Sequence, residues 1–119
     1  MHDEHDFCRC EVEDRGDAVV VHFTGEPLPL NEESAQSLNG PLSDVAARTG
    51  PRRLVLDLSN VAYASSDGLS LLLRLHRAMR SAGGSLTVRN PPDLVHEVLE
   101  VTRLNTVLEI RRGHFARDG

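Results

Sequence analysis

The segment Asp57-Leu58-Ser59-Asn60-Val61-Ala62-Tyr63-Ala64-Ser65-Ser66-Asp67-Gly68-Leu69 decides how this chain folds. It leaves a short, unbroken apolar run, Leu54-Val55-Leu56-Asp57-Leu58, which suits a strand buried in a parallel or mixed sheet. It ends on a helix start, after which Leu69, Leu72, Leu73, His76 and Met79 mark an inner face, with Ser70, Arg74, Arg77 and Ser81 on the wet side. Gly83-Gly84 supplies the stop. The residues from Ser59 to Ser66 read as a loop at the carboxyl end of a strand, the edge where α/β sheets gather ligands and switches.

Upstream, alternation from Phe7 to Glu13 and the β-rich run Ala18 to Phe23 flank the turn candidate Asp14-Arg15-Gly16-Asp17, and together read as a hairpin. Pro27 and Pro29 leave Gly25 to Leu30 as an extended link that cannot be central strand. Asn31 reads as a helix N-cap with Glu32 and Glu33 in the first turn, followed by Ala35, Leu38, Leu42, Val45 and Ala46 at helical spacing. Gly50-Pro51 ends that helix, and Gly40-Pro41 is a candidate bend within it.

Downstream, Ser85 to Val88 reads as a strand. Asn90-Pro91-Pro92-Asp93 reads as N-cap, proline at the first helical position and an acid at the third, opening a helix with Val95, Val98 and Leu99 inside. A last strand spans Thr106 to Ile110. The expected fold is an α/β sandwich, a mixed sheet of about five strands covered by three or four helices, with right-handed crossovers pairing the later strands in parallel.

The 119 residues suffice for one core, and no stretch approaches the roughly twenty apolar residues that cross a bilayer, so a soluble, unprocessed cytoplasmic protein is expected. The net charge is -5, with much of the acid before residue 18, which argues against nucleic acid. All thirteen basic residues are arginine, which excludes chemistry that needs a P-loop or Schiff-base lysine. Cys8 and Cys10 are too few for a disulfide framework. With His2 and His5 they are ligand types, but a structural zinc site needs fixed spacing from both ends of a fold, so neither metal nor cofactor is expected.

The chemistry sits with Ser65 and Ser66 at the helix start. A serine there is an ordinary cap; it is also a place where a phosphate would meet backbone N–H groups and the positive end of the helix dipole. Phosphorylation adds about -1.5 to -2 charge, enough to break a tight contact. Asp57 ends its strand as the acceptor of a phosphoryl-accepting receiver domain does, yet paired acids after a first strand and a late lysine are both missing, so it reads as a carboxylate tying down the loop. Ser66 lacks the Gly-x-Ser-x-Gly elbow of a hydrolase, and His76 falls on the inner helix face as a core histidine. His22 and His96 show no partner pattern.

The combination Asp57-x-Ser59, Tyr63, Ser65-Ser66-Asp67-Gly68-Leu69 and Leu71-Leu72-Leu73 resembles the signature of STAS domains, the fold of bacterial anti-sigma factor antagonists. The likeness continues through Gly83-Gly84-Ser85-Leu86, Asn90-Pro91 and Leu99-Glu100-Val101-Thr102-Arg103-Leu104, and covers about Ala18 to Ile110. It implies a STAS domain over 18–110, an N-terminal segment 1–17 that holds the first strand, and a polar tail 111–119. It further implies a non-catalytic regulator that docks on an anti-sigma factor serine kinase, is switched off by serine phosphorylation and is restored by a serine phosphatase. The acceptor falls on Ser66, with Ser65 as substitute, and the docking face on Asp57, Asn60, Ser65, Ser66, Asp67, Gly68, Ser70 and Arg74. Ser65 stands where the family pattern has aspartate, and Asp67 where it has a second serine. The alternative within the family is a scaffold or a subunit of a larger signalling or lipid-transport complex without phospho-switching; the chain is expected as a monomer or weak dimer.

Overall fold

The computed structural model describes residues 10–112. Strands β1 (Cys10–Asp14) and β2 (Ala18–Phe23) form the antiparallel hairpin, in register from Cys10 opposite Phe23 to Asp14 opposite Val19. Asp14 accepts the Gly16 N–H at 2.9 Å, and Gly16 takes a positive φ of 87° to close the turn. Phe7, Cys8 and Arg9 of the expected first strand, and the candidate ligands His2 and His5, lie outside the described residues.

The chain continues through β3 (Leu28–Leu30), α1 (Glu32–Thr49), β4 (Arg53–Asp57), β5 (Val61–Ala64), α2 (Ser66–Ser81), β6 (Ser85–Arg89), α3 (Asp93–Val101), a 3-10 turn (Leu104–Thr106) and β7 (Glu109–Arg111). The main sheet has the order β1-β2-β4-β6-β7, with every pair after the hairpin parallel. Three crossovers step across it in one direction. Their helices accordingly share one core with Val19, Val21, Phe23, Leu54, Leu56, Leu86 and Val88, while the alternate positions Val20, Val55 and Thr87 belong to the opposite face. No helix of the described residues is long and apolar enough to cross a membrane.

Several expectations need correction. The link from Gly25 to Leu30 and the loop from Ser59 to Ser66 each contain a short strand, because β3 and β5 pair in parallel as a separate two-stranded sheet. Pro41 sits inside a helix assigned without a break from Glu32 to Thr49. The inner stripe of α2 is Gly68, Leu69, Leu71, Leu72, Leu75 and Met79; Leu73 and His76 are half-buried, because the helix turns its Gly68–Leu75 side toward β3 and α1.

Asn90 is not the cap of α3. It adopts φ 56°, a region Asn tolerates better than most residues, and donates its N–H to the Arg111 carbonyl at 2.7 Å, so the helix starts later, behind Pro92. Val98, expected inside, is only partly buried. The last strand begins at Glu109, because Arg103 at φ 65° turns the chain into the 3-10 turn and aims Leu108 into the core.

Candidate functional site

The β4–α2 connection lies at the carboxyl end of the sheet and is held from three sides. On the first, Asp57 closes β4 with only 9% of its surface exposed. Its Oδ1 accepts the Ser59 N–H at 3.0 Å, while Oδ2 lies 3.2 Å from His22 Nδ1 on β2 and 3.4 Å from Arg89 Nη2 on β6. Burial alone would raise this carboxyl, but bonds from the Ser59 backbone and hydroxyl, with the Arg89 charge, hold it below its ordinary value.

On the second side, Asn60 Nδ2 donates to the Phe23 and Gly25 carbonyls at 3.1 and 3.2 Å, clasping the connection to the end of β2. On the third, the Leu30 carbonyl accepts the Ser65 N–H at 2.9 Å, and Asn31 Nδ2 donates to the Tyr63 hydroxyl at 3.4 Å. The start of α2 is thereby tied to the start of α1. There the capping box is complete: Asn31 accepts the Ser34 N–H at 3.1 Å and Ser34 Oγ accepts the Asn31 N–H at 2.9 Å.

Ser65 is the N-cap residue of α2, with extended backbone, but makes no side-chain cap bond; its hydroxyl reaches only the Leu30 carbonyl, at 3.4 Å. Ser66 is the first residue of the helix. It is exposed, and its hydroxyl makes no hydrogen bond among the described residues. Asp67 beside it is exposed in the first turn, as is Ser70 one turn on. Arg74 is exposed and donates to Asn39 Oδ1 of α1 at 3.3 Å.

Ser66, Asp67, Ser70 and Arg74 thus stand on one accessible flank, with Ser65 half-buried at its edge. Gly68 does not belong to that flank. It is buried, and a Cβ there would run into the Leu30 backbone carbonyl and side chain, so its role is to let α2 approach β3. Asp57 and Asn60 likewise spend their side chains on internal bonds. Sequence reasoning missed Tyr63 as a surface group of this region and His22 as the bridge between Asp57 and Glu13, whose carboxylate lies 3.7 Å from Nε2. Tyr63 stands in the motif, but its place on the surface beside Asn31 needed the β3–β5 pairing; His22 needed the β1–β2–β4 register, which no local signal carries. Among the described residues no group of three or more His, Cys, Asp or Glu is placed to hold a metal ion.

Comparison with known proteins agrees with this architecture. The anti-sigma F factor antagonist of Paenibacillus polymyxa is 26% identical over 102 residues, covering 84% of this chain and 83% of that one. BtrV of Bordetella bronchiseptica, named as an anti-sigma factor antagonist, is 30% identical over 87 residues, covering 73% and 74%. Among solved structures, a STAS domain protein from Planctomyces limnophilus superposes with a TM-score of 0.79 at 20% identity, covering 87% of this chain and 89% of that one. The phosphorylated form of the Bacillus protein SpoIIAA shares the fold at a TM-score of 0.63 and 17% identity, covering 92% and 96%. The family described as "Mlab, STAS domain" matches residues 10–110, and the chain belongs to the STAS domain family, its relatives bearing the name of anti-sigma factor antagonists.

Proposed function

We propose that the protein is a non-catalytic cytoplasmic regulator, an anti-sigma factor antagonist that docks on an anti-sigma factor serine kinase and is released when Ser66 is phosphorylated. The observation that carries this reading is the division of labour at the start of α2: Ser65 occupies the cap position, and the Ser66 hydroxyl is exposed and unbonded among the described residues. The flank formed by Ser66, Asp67, Ser70 and Arg74 is the docking face. A phosphate on Ser66 would place about -1.5 to -2 charge beside Asp67, repelling an acidic partner surface and carrying a large desolvation cost, while the first-turn N–H groups of α2 accommodate it without unfolding. A serine phosphatase would restore docking.

A second reading is a STAS scaffold, or a subunit of a larger signalling or lipid-transport complex, that never switches. It is favoured by Asp67, a permanent carboxylate where the family pattern has its second serine, and by Ser65 in place of the preceding aspartate.

Affinity capture from lysate of the source organism with wild-type and Ser66→Asp baits, read by mass spectrometry, separates the two. A kinase-like anti-sigma factor held by wild type alone supports the switch; the same partners on both baits support the scaffold.

A further inference from the structure

The outer flank of α2 and the turn after α3 bound an open groove of about 730 Å³, lined by Leu73, His76, Arg77, Arg80, Leu104 and Val107. Its apolar residues are Leu73, Leu104 and Val107, the last 47% exposed. Arg15, Arg52, Arg89, Arg111 and Arg112 all sit in ion pairs. Arg77 and Arg80, like Arg48, Arg74 and Arg103, have no acidic partner among the described residues, and they are the two that line this groove, in a chain whose net charge is -5. His76 Nδ1 is shut from water without a hydrogen-bond partner, so this wall is not satisfied by the fold itself.

The outward face of α3 has the opposite character. Leu94 and Val101 are 55% and 77% exposed, and with Glu97 they fall at i, i+3 and i+7, on one stripe of the helix. Asp93 and Glu100 are exposed beside it. Leu104 and Val107 belong to the turn that follows α3, so the basic groove and the acidic helix adjoin.

We propose that the chain self-associates through these two patches, the α3 of each copy seated in the groove of the other about a two-fold axis. Leu94 and Val101 cover Leu73, Leu104 and Val107, and Glu97 and Glu100 meet Arg77 and Arg80. A two-fold pairing suits adjoining patches of complementary charge, because one operation satisfies both at once. Only a few side chains on each patch carry the contact and its charges stand at the solvent-exposed surface, so the dimer is weak and salt-sensitive. Ser66 lies at the far end of α2, about 20 Å from Arg80 along the helix, and stays accessible.

Sedimentation velocity of the full chain from roughly micromolar to millimolar concentration tests this. The expected mass rises from 13.1 kDa toward twice that value at low salt and falls back as salt is added. The double variant Arg77→Glu/Arg80→Glu and the double variant Glu97→Arg/Glu100→Arg each weaken association at least tenfold, their combination restores it, and Ser66→Asp leaves it unchanged. Circular dichroism checks the fold of each, and either double variant alone carries the test if the other misfolds. A monomer at every concentration, a dimer indifferent to both double variants, or no restoration in the combination overturns the proposal.

Discussion

Asp57 accepts the Ser59 N–H at 3.0 Å, so the last residue of β4 also fixes the first step of the connection that presents Ser66. The same carboxylate faces His22 and Arg89, which makes it the junction between three neighbouring strands and the connection.

Acid should weaken the fold through Asp57. Its folded pKa lies below the unfolded value of 3.8, so the carboxylate stabilises the protein at every pH above that value and loses the contribution as pH falls through the folded one. Asp57→Asn keeps an acceptor for Ser59 but not the charge, and flattens the acid limb of a stability–pH profile. Asp57→Ala costs about 1–3 kcal/mol at neutral pH in urea melts, because it strands a donor as well.

Gly68→Ala should lower stability by about 1–3 kcal/mol, since the added methyl has no room against Leu30. Thermal melts read the loss. The variant should also weaken partner binding, because α2 must shift away from β3.

The two caps should respond unequally to truncation. Asn31→Ala removes a bonded cap and costs about 1 kcal/mol, whereas Ser65→Ala removes a hydroxyl that caps nothing and stays within about 0.5 kcal/mol of wild type in denaturant titrations.

Leu72→Asp should abolish folding, because Leu72 is 1% exposed and a carboxylate there is desolvated without a partner, at several kcal/mol. Loss of the cooperative transition in circular dichroism is the expected result.

Gly40→Ala should stabilise the protein by about 0.5–1 kcal/mol, raising the melting temperature. Gly40 lies within α1, and a Cβ there meets nothing within 4 Å.

The parts of the fold legible in the sequence are those whose signal is local. β2, β4 and β6 show as dense apolar or β-branched runs, α1 by Asn31 and its periodic apolar residues, and the end of α2 by Gly83-Gly84. β3 and β5 were not legible, because strands of three and four residues exist only through their pairing with each other across some thirty residues of chain. The phase of α2 was ambiguous because Leu71, Leu72, Leu73 and Leu75 offer two overlapping apolar stripes, and contact with Leu30 and α1 decides between them. At the site, the motif located Ser66 and its neighbours, and Asp57 was legible as the carboxylate that ties down the loop, as its bond from the Ser59 N–H shows; Asn60 and Gly68 took their inward roles only from the Phe23 and Gly25 carbonyls and the approach of Leu30.

With all three helices on one side of the main sheet, the two parities of each strand live under different rules. A change at Val21, Leu56 or Val88 must be accommodated by the core shared with the helices, whereas Val20, Val55 and Thr87, buried as well, belong to the opposite face and not to that core. The sheet therefore answers to two separate sets of neighbours, the helices on one face and, on the other, the parity that also carries the His22–Asp57–Arg89 junction, so a change on one face need not be met by repacking on the other.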